Sequence, residues 1–133
     1  VGDRFIFQSE VLFATGQANI SIIGKDQLAE IASAILEIEE VIPREIPWVL
    51  QIEGHTDSDP IAENPFFRDN WDLSTERALS VVRFLRSEGI PANRLAAAGY
   101  GEFQPIDTEN SKAAKQRNRR IELKLTQRIA PNN

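Results

Sequence analysis

The sequence predicts a two-layer α/β domain in which helices pack against one sheet. Segments with apolar residues at helical spacing alternate along the chain with segments of period two, and no internal repeat or interdomain linker divides them. The 133 residues suit a single domain over 1–133, because a chain of this length buries roughly two thirds of its unfolded surface in one core. A composition of 41% hydrophobic and 26% charged residues is that of a globular protein, neither disordered nor fibrous.

Arg4 to Ala14, with Phe5, Phe7, Val11, Leu12 and Phe13, reads as extended, and the break at Gln8-Ser9-Glu10 leaves one strand or two. Thr15 to Asn19 is turn-rich around Gly16. After Gly24, the positions Leu28, Ile31, Ala32, Ile35, Ile38 and Val41 follow helical spacing, and Pro43 and Pro47 bracket the exit. That is a helix of about four turns. Trp48, Leu50 and Ile52 alternate with Val49, Gln51 and Glu53 in a strand ended by Gly54, which leaves His55-Thr56-Asp57 at its C-terminal mouth. From Leu73, the set Ala78, Val81, Val82 and Leu85 marks a second amphipathic helix, stopped by Gly89 with Pro91 beyond. Arg94 to Tyr100 reads as a third strand and Ser111 to Gln116 as a short helix. In the last strand, Ile121, Leu123 and Leu125 alternate with Glu122, Lys124 and Thr126 until Arg128, before a tail from Ile129 to Asn133. Ser58 to Asp72 is a long connection with Pro60, Pro65, Phe66, Phe67 and Trp71; such loops in compact domains are functional or disordered, and three aromatics favour the first.

The absence of Cys excludes disulfides and thiolate metal sites but suits periplasm and cytoplasm equally. No apolar run approaches the roughly 20 residues of a membrane-crossing helix. With no Met, Val1 is not a translation start, so the chain reads as a processed product or an excised fragment. The net charge of −5 argues against a general nucleic-acid binder. That charge is uneven: Val1 to Phe66 holds twelve acids and three bases, net −9, and Arg68 to Asn133 holds eight acids and twelve bases, net +4. A fold that joins these halves sets carboxylates beside guanidinium groups, which suits a zwitterionic ligand as well as an ordinary mixed surface.

His55-x-Asp57-x-Asp59 has the residue types of a hydrolytic or metal constellation, but His55 is the sole His and no Ser stands in a Gly-x-Ser-x-Gly turn. A nucleophile, base and orienter cannot be assembled, so no catalytic residue, metal or cofactor is expected, and His55 reads as a structural residue capping the strand mouth through hydrogen bonds. Asp57-x-Asp59 fails as a calcium loop because the Gly and the distal Glu are missing. Arg77 lies four residues before Val81, on the stripe that packs against the sheet, so its guanidinium is partly buried and must find partners. It either pairs internally, with Asp57 or Asp72, or captures a ligand carboxylate in bidentate fashion. Period two places Arg119 on the face of Ile121, Leu123 and Leu125, leaning inward, and Arg120 on the opposite, solvated face.

Four motifs in order, Gly54-His55-Thr56-Asp57, Asn70-Trp71-Asp72-Leu73-Ser74-Thr75-Glu76-Arg77-Ala78, Ala98-Gly99-Tyr100-Gly101-Glu102 and Asn118-Arg119-Arg120-Ile121-Glu122, resemble the OmpA-like peptidoglycan-binding domain over about Phe5 to Arg128. Asn-Trp-Asp-Leu-Ser and the longer Pro-containing loop before it resemble MotB-type stator proteins and their relatives more than the outer-membrane or lipoprotein members of the family. The resemblance implies a β/α/β/α/β-β arrangement on one mixed sheet and a periplasmic, non-catalytic cell-wall anchor that holds peptidoglycan non-covalently through the diaminopimelate of the peptide stem. It implies that Asp57 grips the ammonium of that residue and Arg77 its carboxylate. It also places Thr56, Asn70, Leu73 and Arg119 in the pocket wall, with Arg119 as a second carboxylate contact. Several relatives have Asp directly after the Phe that matches Phe13, where this chain has Ala14. Peptidoglycan is the implied partner, an anchoring segment before Val1 in the inner membrane is implied, and relatives of the stator type form homodimers. The rival expectation is a periplasmic protein-interaction or structural module, its charges paired with each other and its loop aromatics facing a partner.

Overall fold

A computed structural model describes residues 4–127, so the strand end at Arg128 and the tail expected from the sequence lie outside the described residues. Four strands, β1 (Arg4–Gln8), β2 (Trp48–His55), β3 (Leu95–Gly99) and β4 (Arg120–Gln127), form one mixed sheet in the order β1-β4-β2-β3. β4 runs antiparallel to both neighbours, and β2 and β3 are parallel. The parallel pair needs a crossover, which is the helix α3 (Asn70–Ser87). Helix α2 (Ile22–Val41) lies beside it, and the short helices α1 (Ser9–Leu12) and α4 (Lys112–Asn118) complete the elements named below.

The core follows from two periodicities. Leu28, Ala32 and Ile35 of α2 and Ala78, Val81 and Leu85 of α3 meet Leu50 and Ile52 of β2 and Ile121 and Leu123 of β4, all buried in one cluster with Leu12 and Phe13. Helices thus cover one face of the sheet, as expected for the two-layer class.

Local capping moves several boundaries. The segment expected to be extended up to Ala14 turns into α1 at Ser9, and Phe13 then bridges to Ile20. Ser21 caps α2 by accepting from the Gly24 amide at 3.0 Å, so the helix begins before Gly24 and is longer than expected. Asp69 caps α3 by accepting from the Asp72 amide at 2.9 Å, which draws Asn70, Trp71 and Asp72 out of the expected loop into the first turn. The loop is therefore Thr56 to Asp69. At the other end, Gly89 with φ +108° closes α3 while the Ile90 amide donates to the Leu85 carbonyl.

The face away from the helices departs most from expectation. Arg120, expected to be solvated, is 2% exposed, and Glu53, His55 and Glu122 beside it are equally enclosed. Loop 101–107 and Tyr100 just before it account for the burial: the Gln104 carbonyl accepts from Arg120 at 2.9 Å, and Tyr100 stacks on His55 at 5.1 Å. Arg119 does not lean into the apolar core either. It lies outside β4 as the C-terminal cap of α4, and its side chain reaches Asp57 just beyond the adjacent C-terminal end of β2.

Among the enclosed groups, His55 Nε2 meets Glu53 Oε1 at 3.0 Å. A carboxylate only accepts, so Nε2 carries the proton and the buried Nδ1 is left without a partner. Burial, reinforced by the charge of Arg120, lowers the His55 pKa below its ordinary 6.5 despite the raising influence of Glu53 and Glu122. The folded chain therefore holds this proton less tightly than the unfolded chain. Stability contributed by neutral His55 is present above 6.5 and is lost as pH falls through the folded value. Urea midpoints measured while pH is lowered from 7 should decline in this region, and His55→Gln should flatten that part of the profile.

Candidate functional site

A cleft of about 640 Å³ opens where the C-terminal end of β2, the first turns of α3, the Phe13–Gln17 turn and the end of α4 converge. Thr56, Asp57, Asn70, Leu73, Arg77 and Arg119 all line it, so the fold brings the six residues singled out in the sequence to one place. His55 is not among them; it faces the other side of the sheet. β2 ends at His55, so the chain leaves the strand there and Asp57 turns into the cleft while His55 stays on the opposite face; the His55-x-Asp57-x-Asp59 constellation does not assemble.

Each wall residue has a definable task. Asp57, 8% exposed, accepts from the Asp59 amide through Oδ1 at 2.9 Å and from Arg119 Nη1 through Oδ2 at 2.7 Å. Asn70 donates to the Asp59 carbonyl at 3.0 Å and so ties the start of the loop to α3. Thr56 donates its hydroxyl to the Asp57 carbonyl and its amide to the Gly101 carbonyl. Leu73 supplies an apolar patch, and Phe66 and Phe67 from the loop also line the cleft. Trp71, expected in that loop, instead stands on α3, half-exposed and 4.8 Å from Phe103.

Arg77 is the electrostatic anomaly. It is 6% exposed, yet neither expected partner is available, because Asp72 is engaged by Arg68 and Asp57 by Arg119. Its guanidinium donates to the carbonyls of Gln17 at 2.8 Å and Ala14 at 3.2 Å and lies 4.9 Å from the centre of the Phe13 ring. No carboxylate of the described residues forms an ion pair with it. Burial pushes its pKa down to about 10, with Glu10 opposing and Arg119 reinforcing the shift, so it stays charged at neutral pH.

Sequence reasoning missed Glu10, which also lines the cleft and accepts from Arg119 Nε at 2.6 Å. The signal was the polar interruption at Ser9-Glu10. It marks α1, and the helical turn is what aims Glu10 at the cleft.

The chain is matched by the model of the OmpA family over residues 12–119. It belongs to the OmpA family. Motility protein B of Bacillus subtilis is 30% identical over 124 residues, which cover 92% of this chain and 44% of that protein, so the chain spans less than half of this relative. A MotB-like protein from Desulfovibrio vulgaris superposes with a TM-score of 0.84 at 29% identity, covering 98% of this chain and 76% of that one. The cell wall anchor of the type VI secretion system of Pseudomonas aeruginosa gives 0.79 at 28% identity, covering 94% and 81%. Domains of the OmpA family are peptidoglycan-associated and structural rather than enzymatic. The four-stranded mixed sheet with its helices is the fold of these neighbours.

The other chemically suggestive cluster is Glu53, His55 and Glu122, whose potential ligand atoms lie within 4.8 Å of one another. Both carboxylates are already neutralised there, Glu122 by Arg120 and Arg4 and Glu53 by Lys124. A divalent cation would enter against those fixed positive charges, so the donor set does not fit one.

Proposed function

We propose that the cleft holds peptidoglycan non-covalently by the diaminopimelate of its peptide stem, and that the chain serves as a periplasmic anchor of an envelope protein to the cell wall. The observation that carries this reading is Arg77, a buried cation without a carboxylate partner among the described residues, on the same cleft wall as the anionic Asp57. An enclosed guanidinium held only by neutral carbonyls favours an anion strongly, and a ligand carboxylate matches its planar donor pattern. An amino-acid end that carries one ammonium and one carboxylate suits a cleft with both signs of fixed charge. The rival protein-interaction reading requires these charges to satisfy one another, which holds for Asp57 but not for Arg77. The P. aeruginosa protein described as a cell wall anchor supports the same assignment.

Sedimentation with purified sacculi tests it. Asp57→Asn and Arg77→Met should each weaken binding by roughly tenfold or more, the expected loss for one charge-assisted contact, while keeping the parent's circular dichroism. If both variants sediment as the parent does, the clamp is elsewhere.

A further inference from the structure

One guanidinium on the cleft is shared by two carboxylates. Arg119 donates from Nε to Glu10 at 2.6 Å and from Nη1 to Asp57 at 2.7 Å, so the three groups together carry a net charge of −1. Arg77 brings a charge of +1 and no carboxylate partner among the described residues. The cleft is thus divided into an anionic subsite and a cationic one. Ala14 adds no charge to either; its carbonyl is occupied by Arg77.

This division bears on Arg119. A ligand carboxylate placed against it would also face Glu10 and Asp57, and two like charges at close range oppose what one guanidinium attracts. An ammonium at the same place meets two acceptors, and its three donors can be shared between them. We propose that Glu10 and Asp57 together receive the ligand's ammonium, with Arg119 holding the two carboxylates in position and Arg77 taking the ligand's carboxylate. Glu10 is then a specificity-determining residue: it selects stems that end in a free amine and disfavours those whose amine is blocked. The inference rests on reading the cleft as a diaminopimelate site and adds a residue that neither the motifs nor the family match assigns.

Sacculi with native amines and sacculi with acetylated amines separate the possibilities, using the parent, Glu10→Gln and, as an exposed control, Glu88→Gln. Glu10 is itself partly exposed, so the substitution leaves the core untouched. The parent and the control should lose about tenfold in affinity when the amines are acetylated. Glu10→Gln should bind native sacculi about tenfold less well than the parent and lose little more on acetylation. Parent-like binding by Glu10→Gln overturns the inference, as does an equal loss on both kinds of sacculi, which would mean that Glu10 acts only by positioning Arg119. Failure of the parent to bind native sacculi defeats the peptidoglycan reading itself, a result distinct from either of these.

Discussion

Arg120→Met is expected to lower the unfolding free energy by about 3–5 kcal/mol at neutral pH, the usual consequence of removing one partner from a buried ion pair. Arg120 and Glu122 are both enclosed, and Arg120 also donates to the carbonyls of Asn118 and Gln104. Without the guanidinium, Glu122 faces Glu53 directly across the β2–β4 register, with Lys124 and the half-exposed Arg4 left to balance them. Like charges directly opposite each other on adjacent strands destabilise a sheet. Burial acts to raise the Glu122 pKa, but the hydrogen bond and charge of Arg120 outweigh it and hold the group below its ordinary 4.5. That part of the stability is present above 4.5 and is lost as pH falls through the folded value. Urea denaturation reads the effect as a lower midpoint at similar slope. Adding Glu122→Gln to Arg120→Met should recover much of the loss, because no buried charge is then left without its partner. A single variant within about 1 kcal/mol of the parent would show that loop 101–107 opens readily and lets water solvate Glu122.

Gly54→Ala should be nearly as damaging, through packing rather than charge. A Cβ at Gly54 would stand 2.1 Å from the Ser74 carbonyl oxygen and 2.8 Å from its carbon, both backbone atoms of α3. Neither can rotate away, so the whole helix must shift. Gly99 on β3 is pressed in the same way by Thr75. The parallel pair of strands thus offers two side-chain-free positions on which the first turns of α3 rest. Overpacking of this kind destabilises by about 1–3 kcal/mol, occasionally more. Here it has a second consequence, because Arg77 follows Ser74 by less than one turn. Thermal denaturation should show a lowered Tm, and sacculus sedimentation of the fraction still folded should show weakened binding. A folded Gly54→Ala chain that binds like its parent would mean that the placement of Arg77 does not depend on this close approach.

Much of the fold was legible in the sequence where a residue pattern has one physical meaning. The 3.6-residue spacing from Leu28 to Val41 and from Ala78 to Leu85, the alternation in β2 and β4 and the Gly89 stop each marked an element that exists. Asp69 and Ser21 had the chemistry of helix caps, but a cap is defined by the amide it accepts, and that requires the backbone to turn first. The boundaries therefore moved at those ends. The enclosed face of the sheet was illegible for a different reason. Alternation tells which side of a strand a residue occupies but not what covers that side, and the cover over Arg120 and His55 comes from loop 101–107 and from Tyr100 just before it.

The candidate site divides in the same way. The sequence by itself determined the family motifs, the residue types at Asp57 and Arg77, and the amphipathic stripe that carries Arg77 inward, because each depends on neighbours a few residues apart. Only the tertiary structure decided the pairing. It gave Asp57 to Arg119 across 62 positions of chain, left Arg77 on the carbonyls of Ala14 and Gln17, and brought Glu10 to Arg119 across 109. Charge attraction has no periodicity along a chain. Which cation meets which anion is set by where the sheet order β1-β4-β2-β3 places the ends of the strands, and here it leaves the buried Arg77 without a carboxylate partner among the described residues.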